Sequence, residues 1–180
     1  IVGDIKYRDI NGDGKITSLD EVMISDYGPM PRLQYGFGAS FNWKHIDFSV
    51  FFNGSAKTRM AIQGMQPFHS NENGNRTVMQ WIADNYWSES NPNPNATYPR
   101  LGLSAADDAN NVPTSSYWVR NFSYLRWKTL EAGYSFRHCR VFFSGDNLAV
   151  FSPFKLWDPE IWWNSYPLQR TFNIGVQVKI

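Results

Sequence analysis

Residues 9 to 20 carry oxygen-bearing groups at the spacing of a cation-binding loop. In such loops the first, third, fifth, seventh, ninth and twelfth positions supply the ligands, the ninth often through water, and a glycine at the sixth permits a sharp turn. Thr17 stands at the ninth position, and the residues at the other five are Asp9, Asn11, Asp13, Lys15 and Asp20. Because all of them offer oxygen, with Lys15 using its backbone carbonyl, we predict a structural Ca²⁺ site. The alternative is a turn in which Asp and Asn side chains accept backbone N–H groups.

No other group of residues has the spacing of a catalytic or metal site. His45, His69 and His138 are far apart, and a single cysteine, Cys139, excludes an internal disulfide. The sequence contains no nucleophile elbow, phosphate-binding glycine loop or cysteine pair. We therefore predict that the protein is not an enzyme, and a calcium-dependent hydrolase is the least supported class.

The composition suits surfaces that are apolar on one side and wet on the other. Aromatic residues make up 17% of the 180 residues, yet the mean hydropathy is −0.45. The net charge is +1 without a run of Lys or Arg, so we expect no nucleic-acid partner. The longest apolar run, residues 148 to 151, is far below the ~18 residues of a spanning helix. Any membrane crossing must therefore use strands.

Several segments alternate between apolar and polar residues, which is the two-residue period of a β-strand. Near the end of the chain, Phe172, Ile174 and Val176 alternate with Asn173 and Gly175. Similar patterns predict two hairpins and one further strand, with a bulge near residues 128 and 129 of the second hairpin. The predicted strand regions are 33–54, 123–150 and 170–180, and the long connections are 1–32, 55–122 and 151–169.

Long and short connections between the predicted strands alternate strictly along the chain. An up-and-down sheet with short turns at one rim and long loops at the other produces this order, as in outer-membrane barrels with long extracellular loops. The alternative is a soluble sandwich whose apolar face packs on a second sheet. Five strands cannot close a barrel, because an open edge in lipid leaves backbone groups unpaired. We therefore expect the chain to be part of a larger wall, and the lack of an apolar leader fits a start within a longer protein.

Many aromatic residues lie in the predicted long connections rather than in the strands. Flat aromatic faces beside Asn and Asp can stack on sugars, and they can equally pack long loops against one another. If these aromatic residues stack on sugars, we predict that they contact the substrate or a lid. The residues concerned are Trp81, Tyr86, Trp87, Tyr117, Trp118, Trp157, Trp162 and Trp163.

Six segments along nearly the whole chain resemble one family. They are "GDIKYRDINGDGKIT", "PRLQYGFGASFNWKHIDFSVFFNG", "NATYPRL", "SSYWVRNFSYLRWKTLEAGYSF", "RVFFSGDNLAVFSPFKLWDPE" and "YPLQRTFNIGVQVKI". In this order they resemble the carboxyl-terminal barrel region of SusC/RagA-family TonB-dependent outer-membrane transporters of Bacteroidetes.

The resemblance implies an all-β fold, the C-terminal segment of a 22-stranded antiparallel transmembrane β-barrel whose plug domain is absent from this chain. It implies residence in the bacterial outer membrane and import of glycans or peptides. The implied partners are TonB, a SusD-like surface lipoprotein, the remaining strands and plug, and membrane lipid. Lumen-facing residues would be Asn42, Asp47, Asn53, Asn173, Gln177 and Lys179. The competing hypothesis is a secreted, calcium-stabilised carbohydrate-binding β-sandwich module.

Overall fold

The computed structural model describes residues 1–62, 80–102, 107, 109–161 and 165–178, without the side chain of Trp81. The elements are a 3-10 turn (Ser18–Asp20), β1 (Leu33–Trp43), β2 (Ile46–Ala56), β3 (Arg59–Ala61), α1 (Gln80–Ala83), β4 (Val119–Asn121), β5 (Tyr124–Ser135), β6 (Cys139–Phe151) and β7 (Thr171–Val178). Within the described residues, none of the helices is both long and apolar enough to cross a membrane.

The chain divides into two compact units. The sheet unit comprises Tyr27–Met60 and Arg120–Ile180, and the loop unit comprises Ile1–Asp26 and Ala61–Val119. The alternating segments of the sequence form the sheet unit, whereas most of two predicted long connections forms the loop unit. β3 and β4 pair with each other and were not predicted, because three-residue strands show no readable alternation.

The sheet unit is built on one antiparallel sheet of five strands in the order β1-β2-β5-β6-β7. β1 with β2 and β5 with β6 are the two predicted hairpins. The register between β5 and β6 shifts between Trp127 and Thr129, which confirms the predicted bulge. The same bulge appears in the pairing of β2 with β5, where the consecutive residues Phe51 and Phe52 lie opposite Thr129 and Trp127, so that Lys128 is the extra residue of β5.

The cross-strand register places side chains of like polarity on the same face. Phe37 lies opposite Phe52, and Asn42 lies opposite Asp47. The apolar face consists mainly of Tyr35, Phe37, Phe41, Trp43, Ile46, Phe48, Val50, Phe52, Leu130, Tyr134, Val141, Phe143, Phe172, Ile174 and Val176. The polar face includes Ser40, Asn42, Asp47, Ser49, Asn53, Glu131, Arg140, Ser144, Asn173 and Gln177. Lys179 lies outside the described residues.

The apolar face is exposed rather than packed under a second sheet. Phe172 is 60% exposed and Ile174 is 80% exposed, and Phe37 on the opposite edge strand is 55% exposed. A sandwich would bury such a face against another layer. A barrel wall instead turns it to lipid, where exposed Phe and Ile are favourable. The observed face therefore agrees with the barrel interpretation and not with the sandwich.

The loop unit has its own small core of apolar side chains. Trp118 and Tyr98 are completely buried, and Ile62 and Ile82 are nearly so. The rings of Tyr98 and Trp118 lie 5.8 Å apart, and the Ile62 N–H donates to the Trp118 carbonyl at 3.0 Å. A long connection with this much buried area holds a defined conformation without regular secondary structure.

Candidate functional site

An ionic cluster lies on the polar face, close to the short turns. The Arg140 Nε donates to Asp47 Oδ1 at 3.0 Å, and its Nη2 bonds to the other Asp47 oxygen and to Glu131. Gly133 lies between these partners: a Cβ there would be only 2.6 Å from the Asp47 oxygens and Arg140 Nε. Arg140 of β6 therefore reaches Asp47 of β2 across β5 only because residue 133 has no side chain. The cluster gives this end of the polar face a fixed pattern of charges.

A buried arginine holds the segment after β6 on the same polar face. Arg126 is 1% exposed, its Nη1 donates to Asn147 Oδ1, and its Nη2 donates to Asp158 Oδ1 at 2.5 Å. Its Nε lies 2.8 Å from Glu160 Oε2. A buried guanidinium is tolerated only with such partners, because an unpaired charge is costly to desolvate. We name this group the Arg126 anchor: Arg126, Asn147, Asp158 and Glu160.

Aromatic packing supports the same segment. The Phe122 and Phe154 rings stack at 4.1 Å, and Trp157 meets Phe154 edge-on at 4.4 Å. The Trp157 indole N–H also donates to the Ile161 carbonyl at 3.2 Å. Trp157, predicted to contact substrate or a lid, is therefore half-buried in a stack that stabilises the segment.

Glu160 of the anchor and the strand ends line an open pocket of about 750 Å³. It lies at the end of the sheet with the long connections, on the polar face. Residues of β1, β2 and β5 line it together with residues of the adjoining segments, among them Pro29, Phe122, Pro159 and Glu160. The sequence predicted a lumen-facing Asn53, which lines this pocket, but it did not predict the Arg126 anchor. The partners of Arg126 are 21, 32 and 34 residues away along the chain, and no local motif links them.

The predicted cation loop is closed by hydrogen bonds between its own residues. Asp9 accepts from the Gly12 and Gly14 N–H groups at 2.6 and 2.8 Å. Asp20 accepts from the Ile10 N–H at 2.8 Å and, through its other oxygen, from the Thr17 N–H at 2.8 Å. The backbone N–H of Thr17, followed by that of Ile10, holds the pKa of the Asp20 carboxyl below its usual range.

The donor set of this loop fits a hard cation in chemistry, since its side chains offer carboxylate and amide oxygens. Asn11 Oδ1 and Asp13 Oδ1 accept from the N–H groups two residues further on, at 2.9 and 2.8 Å. These bonds are those of the alternative, an Asx-rich turn. Within the described ranges, no three His, Cys, Asp or Glu side chains gather closely enough to hold a metal. Bound Ca²⁺ therefore stays a prediction.

The remaining loop aromatics lie in the loop unit or outside the described residues. Trp118 is buried and its indole N–H donates to the Asn111 carbonyl at 2.8 Å. Tyr117 packs edge-on against Trp118 at 5.0 Å and donates to the Ala96 carbonyl at 3.2 Å. Tyr86 is half-buried, beside Tyr98 in an isolated bridge. The side chains of Trp81, Trp162 and Trp163 lie outside the described residues.

Trp87 covers a glycine near the start of the loop unit. Gly3 has φ +89, and a Cβ there would lie 2.2 Å from the Trp87 ring.

Asp4, next to Gly3, is the centre of a polar network: it accepts from Asn111 Nδ2 at 2.8 Å and pairs with Arg100 at 2.6 Å. Burial by itself would raise the pKa of Asp4, but its hydrogen bonds outweigh burial and lower it. This network joins the first residues of the chain to the long connection.

No protein-family model matches the chain. TonB-dependent receptor P26 of Formosa agariphila is 30% identical over 203 residues, which cover 99% of this chain and 20% of the receptor. TonB-dependent receptor SusC of Bacteroides thetaiotaomicron is 27% identical over 188 residues, which cover 96% of this chain and 17% of SusC. The chain thus spans about a fifth of the length of these relatives.

Solved structures of the RagAB peptide importer share the fold. The 'open-open' state matches with a TM-score of 0.64 and 20% identity, over 92% of this chain and 19% of that one. The 'closed-closed' state matches with a TM-score of 0.61 and 18% identity, over 92% and 20% of the two chains.

The fold is that of a partial antiparallel β-barrel, with one face exposed and apolar and the other polar. The resemblance to SusC/RagA-type TonB-dependent transporters is confirmed, and it extends over nearly the whole chain. These relatives are named as receptors and importers rather than as enzymes.

Proposed function

We propose that the chain is part of a TonB-dependent importer in the bacterial outer membrane, which takes up glycans or peptides together with a SusD-like surface lipoprotein. The observation that carries this proposal is the exposed apolar face of the sheet, opposite a polar face with an ionic cluster and a pocket. Lipid would cover the first face, and water and substrate would meet the second. The names of the relatives support the transport role.

The test uses the full-length protein in its native host. Membrane fractionation should recover it in the outer membrane, and uptake of its substrate should stop when TonB or the receptor gene is deleted. Affinity purification of the receptor from solubilised outer membranes should recover a surface lipoprotein at a near-equal amount. Recovery of the full-length protein in the soluble periplasm, or uptake that persists without TonB, would refute the proposal.

We also propose that the loop of residues 9 to 20 binds Ca²⁺ as a structural ion. Its oxygen donors and its closure by Asp20 support this role, and external Ca²⁺ sites are often weak, with affinities of ~10⁻⁴ to 10⁻³ M. Titration calorimetry of the full-length protein with CaCl₂ should detect a site that Asp9→Ala removes and Asp26→Ala leaves intact. An equal heat signal from wild type and Asp9→Ala would contradict the proposal and favour the Asx-rich turn.

We further propose that Tyr86, Trp87 and Tyr117 contribute to contact with substrate or with the lipoprotein lid. They are half-buried in the loop unit, or border a cavity of about 250 Å³ in it, so part of each ring stays accessible. Crosslinking from a photoreactive residue at position 86 should trap the lipoprotein or the substrate. Absence of any crosslink, with a strand position facing lipid as control, would argue for a packing role alone.

A further inference from the structure

Two short turns lie side by side at one end of the five-stranded sheet. Lys44 and His45 connect β1 to β2, and residues 136–138 connect β5 to β6. The Ser135 N–H donates to the His45 carbonyl at 2.7 Å, so the first turn adjoins the end of β5 from which the second turn starts. We name these five turn residues, 44, 45 and 136–138, the turn edge.

The turn edge is basic. It contains Lys44, Arg137 and two histidines, and it contains no Asp or Glu. Both Lys44 and Arg137 are exposed. The nearest carboxylates along the strands are Asp47 and Glu131, and both pair with Arg140 on the polar face. These two carboxylates are therefore engaged elsewhere, and the turn edge keeps a positive charge.

Aromatic rings place this charge beside the apolar face. Lys44 Nζ lies 4.7 Å from the centroid of the Trp43 ring. The Tyr134 ring meets Phe136 edge-on at 4.9 Å and lies 5.9 Å from the His45 ring. Trp43 and Phe136 are 56% and 59% exposed. Aromatic rings with a cation beside them are typical of the headgroup level of a bilayer, where the ring stays in the interface and the cation reaches the phosphates.

We propose that the turn edge binds the phosphate groups of anionic phospholipids, with Lys44 and Arg137 supplying the cations. The proposal rests on the proposed location in the outer membrane and adds a headgroup preference, which an apolar face cannot provide because acyl chains carry no charge. An ammonium and a guanidinium both attract phosphate, and a guanidinium can donate two parallel hydrogen bonds to its oxygens. Since the apolar face continues into the turn edge, acyl chains would cover the face while their phosphates meet the cations.

The test uses the full-length protein reconstituted in vesicles of phosphatidylcholine with increasing fractions of phosphatidylglycerol. Amide exchange of residues 43–46 and 134–139, followed by mass spectrometry, should slow as the fraction of phosphatidylglycerol rises. A high concentration of NaCl should reverse the slowing, because salt screens exposed charges. Inorganic phosphate added to pure phosphatidylcholine vesicles should not slow exchange, since no acyl chain holds it at the turn edge.

Substitutions then assign the effect to the two cations. Lys44→Gln and Arg137→Gln should each raise, by about fivefold, the fraction of phosphatidylglycerol that gives half of the slowing, because one charge near an anionic surface contributes about that factor. Lys44→Arg keeps the charge and should behave as wild type. The matched control Lys155→Gln removes an exposed positive charge from the segment after β6 and should leave this fraction unchanged.

Four results would overturn the lipid assignment: exchange that does not depend on phosphatidylglycerol, equal slowing by inorganic phosphate, a wild-type response of both Gln variants at the turn edge, or an equal shift in Lys155→Gln. Membrane fractionation separates this failure from that of the importer proposal. A protein found in the outer membrane whose turn edge does not respond would reject the lipid site and keep the importer. A protein found in the soluble periplasm would reject the importer itself.

Discussion

In the sheet unit, Phe172 and Ile174 project from the surface and remain mostly exposed, whereas Tyr98 and Trp118 of the loop unit are completely buried. The same class of side chain serves two different environments. In the sheet, backbone hydrogen bonds define the conformation and the apolar side chains are free to meet lipid. The described part of the loop unit has few backbone ladders, so side-chain packing itself must hold the chain there. An aromatic-rich composition therefore does not by itself indicate where the core lies.

Trp118→Ala should give the largest effect, because it removes the central side chain of the loop-unit core. Truncation of a buried Trp costs about 3 to 5 kcal/mol through lost packing and a residual cavity. Hydrogen exchange of the full-length protein should show faster exchange throughout residues 80–102, with β5 and β6 unchanged. Trp43→Ala, on the exposed apolar face, is the control. Equal exchange in the two variants would show that Trp118 does not organise the loop unit.

Arg126→Met should release the segment that follows β6. The substitution leaves Asp158 and Glu160 without their cation, and breaking a buried pair costs about 3 kcal/mol even where the partners are partly hydrated. Amide exchange of residues 152–161 should rise by at least tenfold, while the strand amides of β5 stay protected. Arg137→Met, in an exposed turn, should change neither region. Unchanged exchange of residues 152–161 would mean that the aromatic stack alone holds the segment.

Ile174→Lys distinguishes the two faces of the sheet. A lysine in the middle of a lipid-facing strand costs about 2 to 4 kcal/mol in a bilayer, whereas the polar face hydrates the charge. Unfolding of the full-length protein in lipid vesicles should show this loss for Ile174→Lys and almost none for Asn173→Lys. Equal losses for these adjacent positions would contradict the assignment of the apolar face to lipid.

The smallest effect concerns the pH dependence of the cation loop. The folded pKa of Asp20 lies below the unfolded value, so its contribution to loop stability is complete above the unfolded pKa and is lost as pH falls through the folded one. Amide exchange of residues 10 to 17, normalised at each pH to an unstructured peptide, should accelerate below the usual Asp range. Asp20→Asn should abolish this pH dependence and Asp26→Asn should keep it.

The strands and their faces were predictable because strand alternation is a local property. The alternation of Phe172, Ile174 and Val176 with Asn173 and Gly175 is visible in the sequence and persists in β7. The bulge between Trp127 and Thr129 was predictable for the same reason, since a change of phase marks it. The barrel interpretation also needed the order of long and short connections and the family resemblance.

The pocket and the ionic clusters were not predictable, because their partners are distant in the sequence. Arg126 meets Asp158 on a segment after β6, and Arg140 reaches Asp47 across an intervening strand. Neither pair follows from any spacing along the chain. For Trp118, the sequence left stacking on sugars and loop packing as alternatives, and the structure places its ring in the core of the loop unit.

The sequence by itself determined which segments are strands, which of their faces is apolar and where the oxygen-rich loop lies, since each depends on neighbours within a few residues. Only the tertiary structure decided that the apolar face stays uncovered, that Arg126 holds the segment after β6, and that Asn53 lies in a pocket. The physical reason is that burial and hydrogen-bond satisfaction depend on residues that the fold brings together across the sheet, and no pattern of neighbouring residues predicts those contacts.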